Sequence, residues 1–185
     1  MVSRRAAIIL AAGASQRMGT PKALLPWGGS TLLEYAVQQA RDAQADAVVV
    51  LGPATQQVSI DAVTVLNSEP ESGRSASIRL GAAAVADRVE AVLVQSVDQP
   101  VPAWVLLALF AANAEIAVPT FGGQRGHPVC LAGTLLAELR EVTEADQGLR
   151  AVVRRHTVTE VPVETEAILW NLNDPASYGA ATAQS

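Results

Sequence analysis

The chain has 185 residues, half of them hydrophobic and only 17% charged, enough apolar material for one well-buried domain and too much for a disordered chain. A net charge of −5, one cysteine and two histidines speak against a general nucleic-acid or membrane-surface binder, a disulfide framework and a cysteine or histidine metal site. The expectations are a single domain over residues 1–185, a reducing cytoplasm and no membrane span.

Taken in order, short apolar runs alternate with longer amphipathic segments. Two arginines precede the first apolar run, as in a signal peptide, but the run is short and breaks at Gly13, so it reads as a buried strand. Residues 6–12, 47–51, 63–67 and 91–97 are predicted strands of the continuous apolar type found in sheets covered on both faces. Helices are predicted over 32–43, opened by a capping box of Thr31 with Glu34, over 75–86, and from Pro102 to about 112. After Asn113 the rhythm changes. A strand over 116–120, a glycine-rich turn over 121–126 and a returning strand over 128–131 are followed by helices at 135–142 and 147–155. A strand at 157–163 comes next, then a last helix capped near Asn173-Asp-Pro-Ala. This alternation predicts an α/β fold: a three-layer α/β/α, Rossmann-like arrangement around a mixed, mostly parallel sheet with right-handed crossovers.

The most informative segment is residues 10–25. A strand ends there in a loop carrying Gly13, Ser15, Arg17, Gly19 and Lys22. Glycines let backbone N–H groups approach phosphate oxygens, and fixed cations neutralise charge that a few amides cannot. The spacing is not that of Walker A, and the three-glycine dinucleotide fingerprint is absent. A solvated surface turn is the plain alternative.

In an open α/β sheet the carboxyl ends of the strands hold the ligand, so this loop should meet Asp98, which closes the apolar strand 91–97. A carboxylate there suits Mg²⁺, which takes oxygen ligands and substrate phosphates; capping of the next helix is the competing role. Asn171 or Asn173 is the candidate second oxygen donor, the other being free to cap the final helix. Gly73 and Ser77, where a strand passes into a helix, suit a base or ribose. Arg125 and His127 lie on the turn 123–128, where arginine suits a phosphate and histidine an acceptor group; Asp146 and Arg150 offer a further cation or an ordinary ion pair. Ser15, Asp98 and His127 lack the Gly-x-Ser-x-Gly elbow of an α/β hydrolase.

The set Leu10-Ala-Ala-Gly, Arg17-Met-Gly, Pro21-Lys, Asp98-Gln-Pro, Arg125-Gly-His-Pro, Asp146-x-Gly-x-Arg and Asn171-Leu-Asn-Asp-Pro resembles, in order and over nearly the whole chain, the small nucleotidyltransferases of the molybdenum cofactor. The form of the first loop is most similar to the cytidylyltransferase branch. The resemblance implies a nucleotide-diphospho-sugar transferase-like fold and transfer of CMP from CTP to molybdopterin, with release of pyrophosphate. It implies catalysis by Arg17, Lys22 and Asp98, with Mg²⁺ on Asp98 and Asn171 or Asn173. The implied contacts to nucleotide and acceptor are Ala11, Ala12, Gly13, Ser15, Gly19, Lys22, Gly73, Ser77, Arg125 and His127. A molybdoenzyme or its chaperone would receive the product. Three positions depart from the pattern: Arg74 stands where the family has an apolar Met, and Asn171 and Asn173 stand where many cytidylyltransferases have Asp. The choice between CTP and GTP, a sugar or alcohol phosphate as acceptor, and a non-catalytic delivery module are the alternatives.

Overall fold

A computed structural model describes residues 5–13 and 19–183. The chain begins with β1 (Arg5–Ala11), whose residues 7, 8 and 9 have no exposed surface. Alternate side chains of this strand enter different clusters: Ala7 and Ile9 join one core, Ala6, Ile8 and Leu10 the other. An uninterrupted apolar run is what a strand covered on both faces requires.

A small hairpin, β2 (Pro26–Trp27) with β3 (Ser30–Thr31), comes next. Its turn residues Gly28 and Gly29 both have positive φ, 54° and 82°, which is why glycine stands at both places. Helix α1 (Leu32–Asp42) starts on the expected box, Thr31 accepting from the Glu34 amide while Glu34 accepts from the Thr31 amide. There follow β4 (Asp46–Leu51), β5 (Val63–Leu66), α2 (Arg74–Ala84), β6 (Ala91–Ser96), α3 (Ala103–Ala111) and β7 (Ile116–Phe121). The remainder is β8 (Gln124–Arg125), β9 (Val129–Ala132), α4 (Leu136–Leu139), α5 (Leu149–Arg155), β10 (Val158–Pro162) and α6 (Pro175–Thr182).

The main sheet has the order β10-β7-β9-β6-β1-β4-β5, with β8 paired to β7. Strands β1, β4, β5 and β6 run parallel, as do β7 and β10; β9 is inserted antiparallel between β6 and β7. Leu32, Leu33 and Val37 of α1 pack with Leu106 and Leu109 of α3 on one face. Ile78 of α2, Leu136 and Leu139 of α4 and Val152 of α5 cover the other. The expected three-layer, mostly parallel α/β architecture is therefore observed. Gly81 lets α2 sit close to the sheet, since a Cβ there would lie 2.4 Å from Ile8 Cγ2.

Some boundaries differ from expectation. The helix expected over 135–142 is a 3₁₀ turn at Gly133–Leu135 running into the short α4. Asp174, not Asn171 or Asn173, caps α6, in a box with Ser177. An acidic oxygen reaches the amide three residues ahead, and Pro175 fits the first helical position.

Candidate active site

The loops that leave the carboxyl ends of β1, β5 and β6 enclose a cavity of about 440 Å³. Its floor is Leu10, Ala11 and Ala12 at the end of β1 with Ser96 and Val97 at the end of β6. Val97 N–H donates to Leu10 O at 3.0 Å, which extends the strand pairing by one step. Behind the floor Gly52 packs so closely that a Cβ would lie 2.4 Å from Ala12 O, and Thr55 Oγ1 donates to Ala11 O. The backbone at Ala11–Ala12 is thereby fixed before the loop begins.

Lys22, Asp98 and Asn173 meet in this cavity. Lys22 Nζ donates to Asp98 Oδ2 at 2.7 Å and also to Asn173 Oδ1. Three segments bring them together. Lys22 opens a 3₁₀ turn between β1 and the hairpin, Asp98 sits in the turn after β6, and Asn173 precedes α6. Leu172 N–H donates to Asp98 O at 3.0 Å, tying the last two together. An aromatic cluster secures the first to the third. Trp27 makes edge contacts with Tyr35 and Trp170 and a tilted one with Tyr178, and Tyr178 Oη donates to Pro26 O.

The opposite wall comes from the start of α2. Gly73 has φ 108°, and a Cβ there would lie 2.5 Å from the Glu144 side chain, so only glycine fits. Glu144 Oε1 accepts from Ser75 N–H at 2.6 Å and thus serves as the N-terminal acceptor of α2, whose own cap residue supplies no side chain. That hydrogen bond holds the Glu144 carboxyl below the usual carboxylate range. Ser77, almost fully buried, accepts from Asn67 Nδ2 at 2.9 Å and faces the cavity. Beneath Asp98 the turn is braced by Gln95 Nε2, which donates to Gln99 O at 2.9 Å.

Of the residues singled out in the sequence, Ala11, Ala12, Gly13, Lys22, Gly73, Ser77, Asp98 and Asn173 line the cavity. Ser15 and Arg17 lie outside the described residues. Gly19 takes φ 67° in the loop with open space where a Cβ would stand. Arg125 does not line the cavity: β8 hairpins back onto β7, and the guanidinium pairs with Glu160 at 2.7 Å on exposed surface. Asn171 is exposed as well, because a tight turn, Asn173 N–H to Asn171 O at 2.8 Å, breaks the extended geometry that would have aligned the two amides. His127 is half-buried and is not among the residues that line the cavity; it stands on a cis His127–Pro128 bond, its amide donating to Ile168 O. Burial lowers its pKa, as do Arg74 and Arg150, while Asp98 acts in the other direction. Sequence reasoning missed Glu144 and the aromatic cluster, whose contacts join distant segments and leave no local signature.

The oxygens of Asp98 and Asn173 converge on one cation, the Lys22 ammonium. A hard divalent ion suits the same donors, one carboxylate and one amide oxygen, with phosphate and water completing its shell. Among the described residues no cluster of three or more histidine, cysteine or acidic side chains offers a fuller cage.

Comparison with known proteins agrees with this geometry. Residues 7–161 match the family described as MobA-like NTP transferase domain. The chain is 33% identical over 181 residues to a molybdenum cofactor guanylyltransferase of Xanthomonas euvesicatoria, covering 92% of this chain and 90% of that protein. It is 32% identical, with 80% of each covered, to a nicotine blue oxidoreductase of Paenarthrobacter nicotinovorans. Among solved structures, Rv0371c of Mycobacterium tuberculosis superposes with a TM-score of 0.85 at 29% identity, over 97% of this chain and 98% of that one. A structure of Rv0371c with manganese gives a TM-score of 0.81 at 26% identity, over 98% and 99% of the two chains. The chain belongs to the MobA-like NTP transferase family.

Proposed function

We propose that the protein is a Mg²⁺-dependent nucleotidyltransferase that moves CMP from CTP onto the phosphate of molybdopterin and releases pyrophosphate. The observation that carries this reading is the convergence of Asp98, Asn173 and Lys22 in a cavity of about 440 Å³ floored by the end of β1. The Gly13 backbone, Lys22 and, from the sequence, Arg17 would hold the triphosphate with its α-phosphorus exposed. Mg²⁺ on Asp98 and Asn173 would neutralise charge on the α-phosphate and on the departing pyrophosphate.

A phosphate monoester is already largely ionised at neutral pH, so the attacking oxygen needs no general base. The new P–O bond forms at the α-phosphorus as the α–β bridge breaks. The protein's part is alignment and charge neutralisation, which agrees with a lining in which, among the described residues, the one carboxylate, Asp98, is paired with Lys22. Gly73 and Ser77 would face the ribose or base. The Leu10-Ala-Ala-Gly form of the loop favours CTP. GTP is the second reading, supported by the name of the Xanthomonas relative.

Pyrophosphate release measured with CTP, GTP, ATP and UTP, with and without molybdopterin, tests the proposal. Release with CTP that depends on both acceptor and Mg²⁺ is the expected result. Release with GTP alone would transfer the assignment to guanylyl transfer, and no release with any nucleotide would sink it. Reduced nicotinamide nucleotides belong in the same panel because of the oxidoreductase relative.

A further inference from the structure

Positive charge collects on the α2 side of the cavity, apart from Lys22. Arg74, the first residue of α2, lines the cavity. Helix α5 is seated directly against it: Gly148, its cap residue, packs so tightly that a Cβ would lie 2.6 Å from Ser75 Oγ, bringing Arg150 in the first turn of α5 beside the first turn of α2. The charges of both arginines and of Asp98 act on the His127 ring. Glu144 already satisfies the Ser75 amide, so an anion arriving here would be held by side chains, not by the helix end.

Like charges held together around a cleft are unfavourable without a ligand of opposite sign. Arg74 has its pKa lowered, chiefly by desolvation at the cavity wall; Asp98 opposes this, Arg150 adds to it and Glu144 opposes it again. The proposed reaction supplies a reason for this charge. It brings a phosphate dianion against a triphosphate, and Arg17 and Lys22 with one divalent ion would have to neutralise both. Two guanidinium forks suit the oxygens of a phosphate monoester, and the His127 ring has an N–H to add.

We propose that Arg74, Arg150 and His127 form a second anion subsite on the α2 side of the cavity, which takes the phosphate monoester of the acceptor. This deepens the nucleotidyl-transfer reading and rests on it for the identity of the ligand. Arg74 thereby becomes part of acceptor recognition. The acceptor oxygen held here attacks the α-phosphorus, and the α–β oxygen leaves on pyrophosphate with the bonding electron pair.

The test is calorimetric titration of inorganic phosphate into protein saturated with Mg²⁺ and non-hydrolysable CTP and GTP analogues, which fill the triphosphate site. Wild type should bind phosphate with a Kd on the order of 1 mM. Arg74→Gln and Arg150→Gln should each weaken this at least tenfold, and Arg→Lys at either position should weaken it less. Thermal melts confirm that each variant is folded. Phosphate binding unchanged in the Arg74→Gln/Arg150→Gln double variant would overturn the subsite, as would a wild-type KM for the acceptor in that variant. If phosphate binding needs both arginines yet wild type releases no pyrophosphate from any nucleotide, the subsite stands and the transferase reading falls.

Discussion

The two ends of the sheet make an instructive pair. At the carboxyl ends the cavity measures about 440 Å³, and at the amino ends of β1, β4 and β5 a second depression measures about 580 Å³. The larger one is lined by alanines and valines, with Arg41 paired to Asp61 near its rim. Its charged groups are Arg5, half-buried over the Phe110 ring, and the exposed Arg41, Asp46 and Asp61. The smaller depression gathers a lysine, a carboxylate, an amide and an arginine from four separate segments. Volume does not mark the site; polar groups converging from distant parts of the chain do.

Variants that break this contrast should do so in order of severity. Asp98→Asn should lower turnover by at least ~10³-fold, about 4 kcal/mol of transition-state stabilisation, while a thermal melt stays near wild type; turnover within tenfold of wild type would remove Asp98 from the chemistry. Trp27→Ala should destabilise the fold by about 3–5 kcal/mol, as for a large buried aromatic, and should lower nucleotide affinity because the Lys22 and Asn173 segments are no longer clamped together. Denaturant unfolding and nucleotide titration on the same sample check both. Lys22→Ala should weaken CTP binding roughly 10–100-fold, the worth of one or two charge-assisted hydrogen bonds. At the other end, Arg41→Gln should change stability by less than about 1 kcal/mol, since exposed ion pairs contribute little, and should leave pyrophosphate release unchanged.

The two histidines sharpen the comparison through pH. His127, at the carboxyl end, has its pKa lowered. His156, at the amino end of β10, has its pKa raised by hydrogen bonds to Glu115 and Glu138, each at 2.7 Å. A raised folded-state value means that His156 contributes stability fully below its unfolded value of about 6.5, and that this is lost as pH climbs through the higher folded value. Glu115 and Glu138, with lowered pKa values, stay ionised throughout. The depressed His127 acts in the opposite sense, losing stability as pH falls below about 6.5. Melting temperatures between pH 6 and 9 should therefore decline on the alkaline side in wild type, and His156→Gln should flatten that decline. An identical slope in the variant would refute the role of the Glu–His–Glu contact.

What could be read from the sequence follows from the reach of the interactions. The buried strands β1, β4 and β6, the α1 capping box and the Pro-led start of α6 depend on neighbours within a few positions, and patterning exposes them. The run over 63–67, expected to be buried as well, is instead the edge strand β5, with Val63 and Leu66 exposed because, among the described residues, no strand covers that side. The Asp98 turn and the loop after β1 could be placed together because sheet geometry brings strand ends to one edge. The returning, antiparallel run of β9 could be expected from the tight turn before it, but its insertion between β6 and β7 could not. Nor could the Glu144 contact with Ser75, which spans 69 positions. Arg125 was drawn to the site by its motif and then claimed by Glu160 across the sheet edge; one hairpin turn decided the matter. Cys130, buried with its thiol pushed up to about 12, matches the structural role of a single apolar cysteine.

The Lys22 contacts span 76 positions to Asp98 and 151 to Asn173. At about 5–20 residues per second of synthesis, roughly 8–30 s separate the emergence of Lys22 from that of Asn173. A ribosome-bound chain can form β1, α1 and β4 early and still lack a finished site. The site is thus completed only once Asn173 has emerged, and its completion certifies that the segment before α6 has returned to the start of the fold.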